Sequence, residues 1–285
     1  MVNYKEAFDR DGFCIIRNAV SRETVERANL AIDDFRFKHE ELLIKDELLA
    51  NNLLQRVVNF HLSIIPLKDV FFESVESASE VTDDFGKATL YTSLFFELGS
   101  QQPIHRDTPY FFTGKNRGYM GVWAALDDVD EDNGPLIVVK GSHKLGEANL
   151  TELKQRYHPD GVVPESSPEL FDAINEQLVD LAEGAGLETH VCRVNRGDIV
   201  VWHPETLHGG MRHKEVSKTR RSFVMHITPK NTAVKHMDYF FDRSKKILEV
   251  EKKYEDIQGR LIEQHQEIDF MHKKRFDPKS LGFFG

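Results

Sequence analysis

The sequence is short of cysteine, of long apolar runs and of positive charge, and each shortage excludes a class of protein. Two cysteines in 285 residues, Cys14 and Cys192, cannot build the disulfide framework of a small secreted domain. Cys14 lies in the apolar run Phe13-Cys14-Ile15-Ile16 and Cys192 in an alternating, strand-like stretch, so both are expected as buried free thiols. No run of about 18 apolar residues is present, so no membrane-spanning helix is expected. The opening Met1-Val2-Asn3-Tyr4-Lys5-Glu6 has no apolar signal region, and a reducing cytoplasm is the expected setting. The 37 Lys and Arg face 47 Asp and Glu, a formal net charge of −10. Phosphate backbones need a basic surface, so nucleic acid is not the expected partner. A local Arg inside an acidic protein can still hold a small anion.

What is present is apolar and patterned. Hydrophobic residues make up 40%, with 20 Phe, enough for a sizeable core. Residues 4–10 read as a short helix leading into a strand at 12–17. Ser21 can cap a following helix, and helical spacing continues to about residue 64. The period then changes to two. Strands are expected at 88–98, 119–126, 136–139, 189–194, 199–202 and 221–227, with turns at Asp132-Asn133-Gly134-Pro135 and Asn195-Arg196-Gly197-Asp198. Residues 145–190 are polar and partly helical and read as an insertion. The pattern predicts an α+β, mainly β fold: a double-stranded β-helix (jelly roll, cupin-like) with N-terminal helices packed outside. The expected domain covers 1–235, with 236–285 as a helical C-terminal extension of it. In that extension Ile247, Val250, Tyr254, Ile257, Leu261, Gln264 and Ile268 follow a heptad. Such a helix would pack on its own barrel or serve a homodimer.

The chemistry concentrates in Gln102-Pro103-Ile104-His105-Arg106-Asp107-Thr108-Pro109. In an extended chain His105 and Asp107 leave one face and Arg106 the other. That is two-thirds of a 2-His-1-carboxylate metal site. The third ligand must come from a distant strand, and His208, followed by Gly209-Gly210, is the best candidate. Three ligands on one face leave positions on iron for a 2-oxo acid and dioxygen. A guanidinium about a dozen residues later, in Thr219-Arg220-Arg221-Ser222, suits the far carboxylate of such an acid. Adjacent strand residues point oppositely, so only one of Arg220 and Arg221 can face the site.

These residues, in this order, resemble the phytanoyl-CoA dioxygenase family of Fe(II)/2-oxoglutarate oxygenases. Phe8-Asp9-Arg10-Asp11-Gly12-Phe13-Cys14-Ile15-Ile16 is similar to its opening strand, and Asn133-Gly134-Pro135-Leu136 with Gly141-Ser142-His143-Lys144 to its turn and Gly-Ser-His segment. The resemblance spans roughly residues 5–230. It implies His105, Asp107 and His208 as metal ligands, Arg220 as the 2-oxoglutarate anchor, and Trp123 as an aromatic near the co-substrate. The His208-to-Arg220 spacing is about one residue longer than the family's, which keeps Arg221 open, and Gly210 stands where a hydroxyl residue is common.

The expectation is therefore an enzyme: a dioxygenase using Fe(II), 2-oxoglutarate and O2 on a small-molecule substrate, giving succinate and CO2. In related halogenases the carboxylate position is vacated. Asp107 is retained here, which favours hydroxylation or another C–H oxidation. The alternatives are a metal-binding barrel that lost catalysis, and a cupin-like metal-dependent hydrolase or isomerase. Arg106, Lys115 and Arg117 hint at an anionic substrate, against a plain reading as solvated charge. His143 and His203 read as structural, and His226 as packing or pocket lining.

Overall fold

The computed structural model describes residues 3–115, 117–215, 217–248 and 250–285. The chain opens on α1 (Tyr4–Asp11), ended by Gly12 at φ 82°, and continues into β1 (Phe13–Ile16). α2 (Arg22–Lys38) begins where the Ser21 hydroxyl accepts the Thr24 N–H at 3.2 Å, the cap expected from the sequence. Helical structure then stops earlier than the spacing predicts. After α3 (Glu40–Lys45) comes a small hairpin, β2 (Leu49–Ala50) with β3 (Leu53–Leu54), and then β4 (Val57–Val58). Asn51 and Asn52 turn that hairpin at φ 50° and 60°, a conformation Asn tolerates, so turn chemistry overrides apolar spacing. α4 (Pro66–Ser77) and α5 (Ser79–Thr82) complete the N-terminal helices.

With one exception, the central strands fall within two residues of their expected spans. They are β5 (Ala88–Phe96), β6 (Met120–Ala125), β7 (Leu136–Val139), β8 (Thr189–Cys192), β9 (Ile199–Trp202), β10 (His208–Gly210) and β11 (Ser222–Pro229). The exception is β10, a short strand at the candidate ligand, which had no expected counterpart. Between β7 and β8 lie α6 (Leu150–Tyr157) and α7 (Pro168–Gly184).

The C-terminal segment corrects the sequence reading. In place of a long helix it forms, after the short α8 (Met237–Phe240), two hairpins: β12 (Tyr254–Ile257) with β13 (Arg260–Glu263), and β14 (Ile268–Phe270) with β15 (Lys274–Phe276). A last short helix, α9 (Pro278–Leu281), follows. The reason is a two-residue turn: Gln258 and Gly259 sit at φ 52° and 85° and reverse the chain inside the heptad. β13 then pairs parallel to β5 and β14 antiparallel to β4, covering edges that a helix would leave unpaired. Leu261, Ile262, Ile268 and Phe270 are buried there. The helical seam read as packing on the chain's own barrel, or alternatively as serving a homodimer, does not form.

The strands make two facing sheets. The large one runs β1-β9-β6-β11-β5-β4-β14-β15, and the small one β10-β7-β8. Strand alternation divides the core. On β9, Ile199 and Val201 pack against the N-terminal helices, while Val200 and Trp202 point to the small sheet. α6 and α7 cover the outer face of the small sheet through Leu153, Leu170, Ile174 and Leu178. Fully burying each such side chain stabilises by roughly 1.5–3 kcal/mol, so strands covered on both faces are the rigid part of the molecule. Cys14 and Cys192 are buried and unpaired, and burial pushes each thiol up to about 12. Among the described residues no helix is long and apolar enough to cross a membrane.

Candidate metal centre

The segment carrying His105 pairs directly with β10. The His105 N–H donates to the His208 carbonyl at 2.8 Å and the His208 N–H to the His105 carbonyl at 2.9 Å. The two imidazoles are therefore held side by side, with ring centres 4.5 Å apart. Asp107, two residues on, leaves the same face. One donor atom from each of His105, Asp107 and His208 lies within 4.8 Å of the others.

The backbone sets the tautomers. His105 Nδ1–H donates to the Pro103 carbonyl at 2.8 Å and His208 Nδ1–H to the Thr206 carbonyl at 3.0 Å. Both Nε2 lone pairs thus face the site, as metal ligation requires. Burial pushes His208 down to about 4 against the pull of Asp107, so its ring is neutral at neutral pH. Burial opposes charge on Asp107 too, but His208, His105 and His226 hold its carboxyl well below the usual range. The carboxylate is also held in orientation. Its Oδ2 accepts the Trp202 indole N–H at 3.3 Å and lies 3.5 Å from His226 Nε2, while Oδ1 lies 3.6 Å from His105 Nε2. Trp202 reaches this place because residue 121 is glycine: a Cβ there would stand 2.0 Å from the indole.

Beyond the triad lies a pocket of about 60 Å³ lined by Ser100, Gln102, Trp123 and Arg220 among others. Arg220 is 2% exposed, its Nε has no acceptor among the described residues, and its guanidinium lies over Trp123 at 5.5 Å. Burial lowers it to about 10, which leaves it charged at neutral pH. Arg221 points the other way. It bonds Glu97 at 2.8 Å and pairs with Asp33 on α2, so it stands outside the pocket. The hydroxyl missing at Gly210 has a neighbour in its place: the Ser100 Oγ lies 2.8 Å from where a Cβ on residue 210 would stand. His203 is buried beside Phe8 and His143 and is not among the grouped ligand atoms.

Four residues in this neighbourhood had no site role in the sequence reading beyond pocket lining. Trp202 and His226 share faces with Val200 and Val224, so alternation along β9 and β11 carried a usable signal for both. Ser100 and Arg56 gave none. Arg56 precedes β4, and its Nε is buried with no acceptor among the described residues. Burial lowers its pKa, while Asp269 and Asp107 pull it upward.

Comparison with known proteins gives one consistent fold. The family described as phytanoyl-CoA dioxygenase (PhyH) matches residues 8–222, most of the chain. The peroxisomal phytanoyl-CoA dioxygenase of Bos taurus is 22% identical over 236 residues, covering 74% of this chain and 63% of the bovine protein. The chain thus spans less than two-thirds of that relative's length. Among solved structures, the epimerase SnoN in complex with Fe3+, α-ketoglutarate and nogalamycin RO superposes with TM-score 0.59 at 15% identity, covering 91% of this chain and 96% of that one. EctD from S. alaskensis, solved with 2-oxoglutarate and 5-hydroxyectoine, superposes with TM-score 0.54 at 16% identity, covering 81% and 77%. At such identities the structures establish a shared jelly-roll fold, here with sheets that do not close into a barrel.

Proposed function

We propose, since the chain belongs to the phytanoyl-CoA dioxygenase family, that it is an Fe(II)- and 2-oxoglutarate-dependent oxygenase acting on a C–H bond of a small molecule. One observation carries the reading: a two-His, one-Asp donor set and a buried guanidinium with an unused N–H line the same small pocket. The donor set is the one non-haem Fe(II) oxygenases use, and three protein ligands leave room for other oxygen donors. When bound, Fe(II) and 2-oxoglutarate supply the oxidising power from dioxygen, with succinate and CO2 as products.

The protein's own part is binding, orientation and exclusion of water. His105 and His208 present their Nε2 atoms, and Asp107 presents a carboxylate steadied by Trp202. Arg220 receives the distal carboxylate of 2-oxoglutarate, with Trp123 beneath its guanidinium and the Ser100 hydroxyl at hand. Leu94, Phe96, Leu136 and Val224 keep the rest of the wall dry. The retained Asp107 favours hydroxylation or a related C–H oxidation over halogenation. A cupin-like zinc hydrolase would share the triad but has no use for a buried, unpaired Arg220.

The test is formation of succinate from 2-oxoglutarate that needs Fe(II) and disappears in His105→Ala and Asp107→Ala. Wild-type yield in either variant overturns the reading. Binding of 2-oxoglutarate to the metal-loaded protein separates it from the hydrolase alternative. We place the protein in the reducing cytoplasm, in line with its two buried free thiols. Cell fractionation that finds it in another compartment overturns that placement.

A further inference from the structure

The extended segment that carries His105 and Asp107, bridged to β10 at His105, has a second face. Arg106 leaves it on the side away from the triad and is 3% exposed. One terminal nitrogen donates to the Ser142 carbonyl at 2.7 Å, the other lies 3.2 Å from a Glu205 carboxylate oxygen, and the buried Nε has no acceptor among the described residues. Arg106 lines a cavity of about 450 Å³, more than seven times the 60 Å³ of the metal pocket. Lys115, Arg117 and Arg243 also line it, so four cations meet two carboxylates, Glu147 and Glu205. Arg117 pairs with Asp9 and Arg243 with Glu147, while Lys115 makes no ion pair among the described residues. Three of these cations, Arg106, Lys115 and Arg117, are the ones the sequence singled out. The rest of the wall is largely apolar and includes Phe112, Leu178 and Phe240.

One aromatic layer separates this cavity from the metal centre. Phe111 lines the cavity and stacks on His226 with ring centres 4.1 Å apart, and His226 lies 3.5 Å from Asp107.

We propose that this cavity is the substrate's anion site: it binds the carboxylate or phosphate of an organic substrate whose apolar part lies toward Phe111 and the metal. The proposal rests on the oxygenase reading for the word substrate, and on the cavity alone for the chemistry of the ligand. An isolated buried Arg N–H is costly unless it gains an acceptor, and an anion supplies one. The competing surface is a groove outside His105 lined by Asp172, Glu176 and Asp180 of α7, which would favour a cation. Its carboxylates are exposed, and none needs a ligand to satisfy it.

Calorimetric titration with hexyl phosphate, hexanoate, hexanol and hexylammonium tests this, on metal-free protein and on protein loaded with Mn(II) and 2-oxoglutarate. The two anions should bind at least about tenfold more tightly than hexanol or hexylammonium. Lys115→Glu and Arg243→Glu, both surface substitutions, should weaken the anions by about tenfold or more and leave 2-oxoglutarate binding unchanged. Arg220→Ala should do the reverse. Preference for hexylammonium, equal binding of hexanol, or anion affinity untouched by Lys115→Glu would each overturn the proposal. Anion binding in a protein that takes up neither metal nor 2-oxoglutarate would overturn the oxygenase reading and support the anion site.

Discussion

Two faces of one three-residue segment, His105-Arg106-Asp107, open onto two unlike cavities. On one side, two imidazoles and a carboxylate are tethered by carbonyls, an indole and a paired strand, around a space of about 60 Å³. On the other, the Arg106 guanidinium and three further cations line about 450 Å³ walled by Phe111, Phe112, α7 and the segment after α8. The first wall is built from strands buried on both sides, so it cannot drift without repacking a core. The second is built from loops and an inserted helix pair, which change without disturbing that core. On the proposed reading, rigid chemistry and adjustable selection share one extended segment and are kept apart because its alternate side chains leave opposite faces.

Removing a ligand should have the largest effect. Asp107→Ala should abolish Fe(II) binding and lower turnover well beyond the roughly 10–100-fold that loss of a merely supporting group costs. Circular dichroism should stay native, because the triad is a minor part of the inter-sheet core. Stoichiometric Fe(II) uptake by this variant would show that the two faces do not divide the work as described.

Next in size is the pair Arg220 and Arg221. Arg220→Ala removes hydrogen bonds to a charged group, worth about 1.5–3 kcal/mol, so KM for 2-oxoglutarate should rise roughly 10- to 150-fold. Arg221→Ala should leave KM alone and lower thermal stability, since it strips partners from Asp33 and the fully buried Glu97. Equal effects of the two on KM would refute the assignment by strand face.

The order of effects matches how legible each part was. The triad and the central strands follow from period-two alternation and from residue types that chemistry restricts, so few sequences would place them otherwise. The choice between Arg220 and Arg221 was open because the strand's phase depends on its partners β5 and β6, not on its own residues. The C-terminal hairpins were hidden because apolar steps of three and four also satisfy alternate strand faces once Gln258-Gly259 turns the chain. The Arg106 cavity was legible only as three nearby cations. Its far wall comes from residues more than 60 positions downstream, Ile174, Leu178 and Arg243, and no local pattern announces their approach.

Smaller effects sharpen the metal side. Trp202→Phe keeps the packing and removes the N–H to Asp107 Oδ2. Metal affinity should fall about 10–100-fold, the usual cost of losing a group that orients a ligand. Gly121→Ala should mimic it, because a Cβ at that position would overlap the indole. Unchanged Fe(II) affinity in both variants would mean that His226 alone steadies the carboxylate.

The smallest expected effect tests how the co-substrate end is completed without a hydroxyl at residue 210. If the Ser100 hydroxyl bonds the 2-oxoglutarate carboxylate, Ser100→Ala should raise KM for it about fivefold, the value of roughly 1 kcal/mol. A hydroxyl can be moved across the gap with a shift of a few tenths of an ångström, since Ser100 Oγ lies 2.8 Å and the Gln101 backbone nitrogen 3.1 Å from the place of a Cβ on residue 210, and Gly210 has no positive φ. The double variant Ser100→Gly, Gly210→Ser should therefore return KM to within about twofold of the wild type, the remainder being imperfect geometry of the single bond. Gly210→Ser alone should be worse than either, because two side chains then compete for one space. A KM insensitive to Ser100→Ala would leave Arg220 holding the carboxylate unaided, and the double variant would then show no rescue to measure.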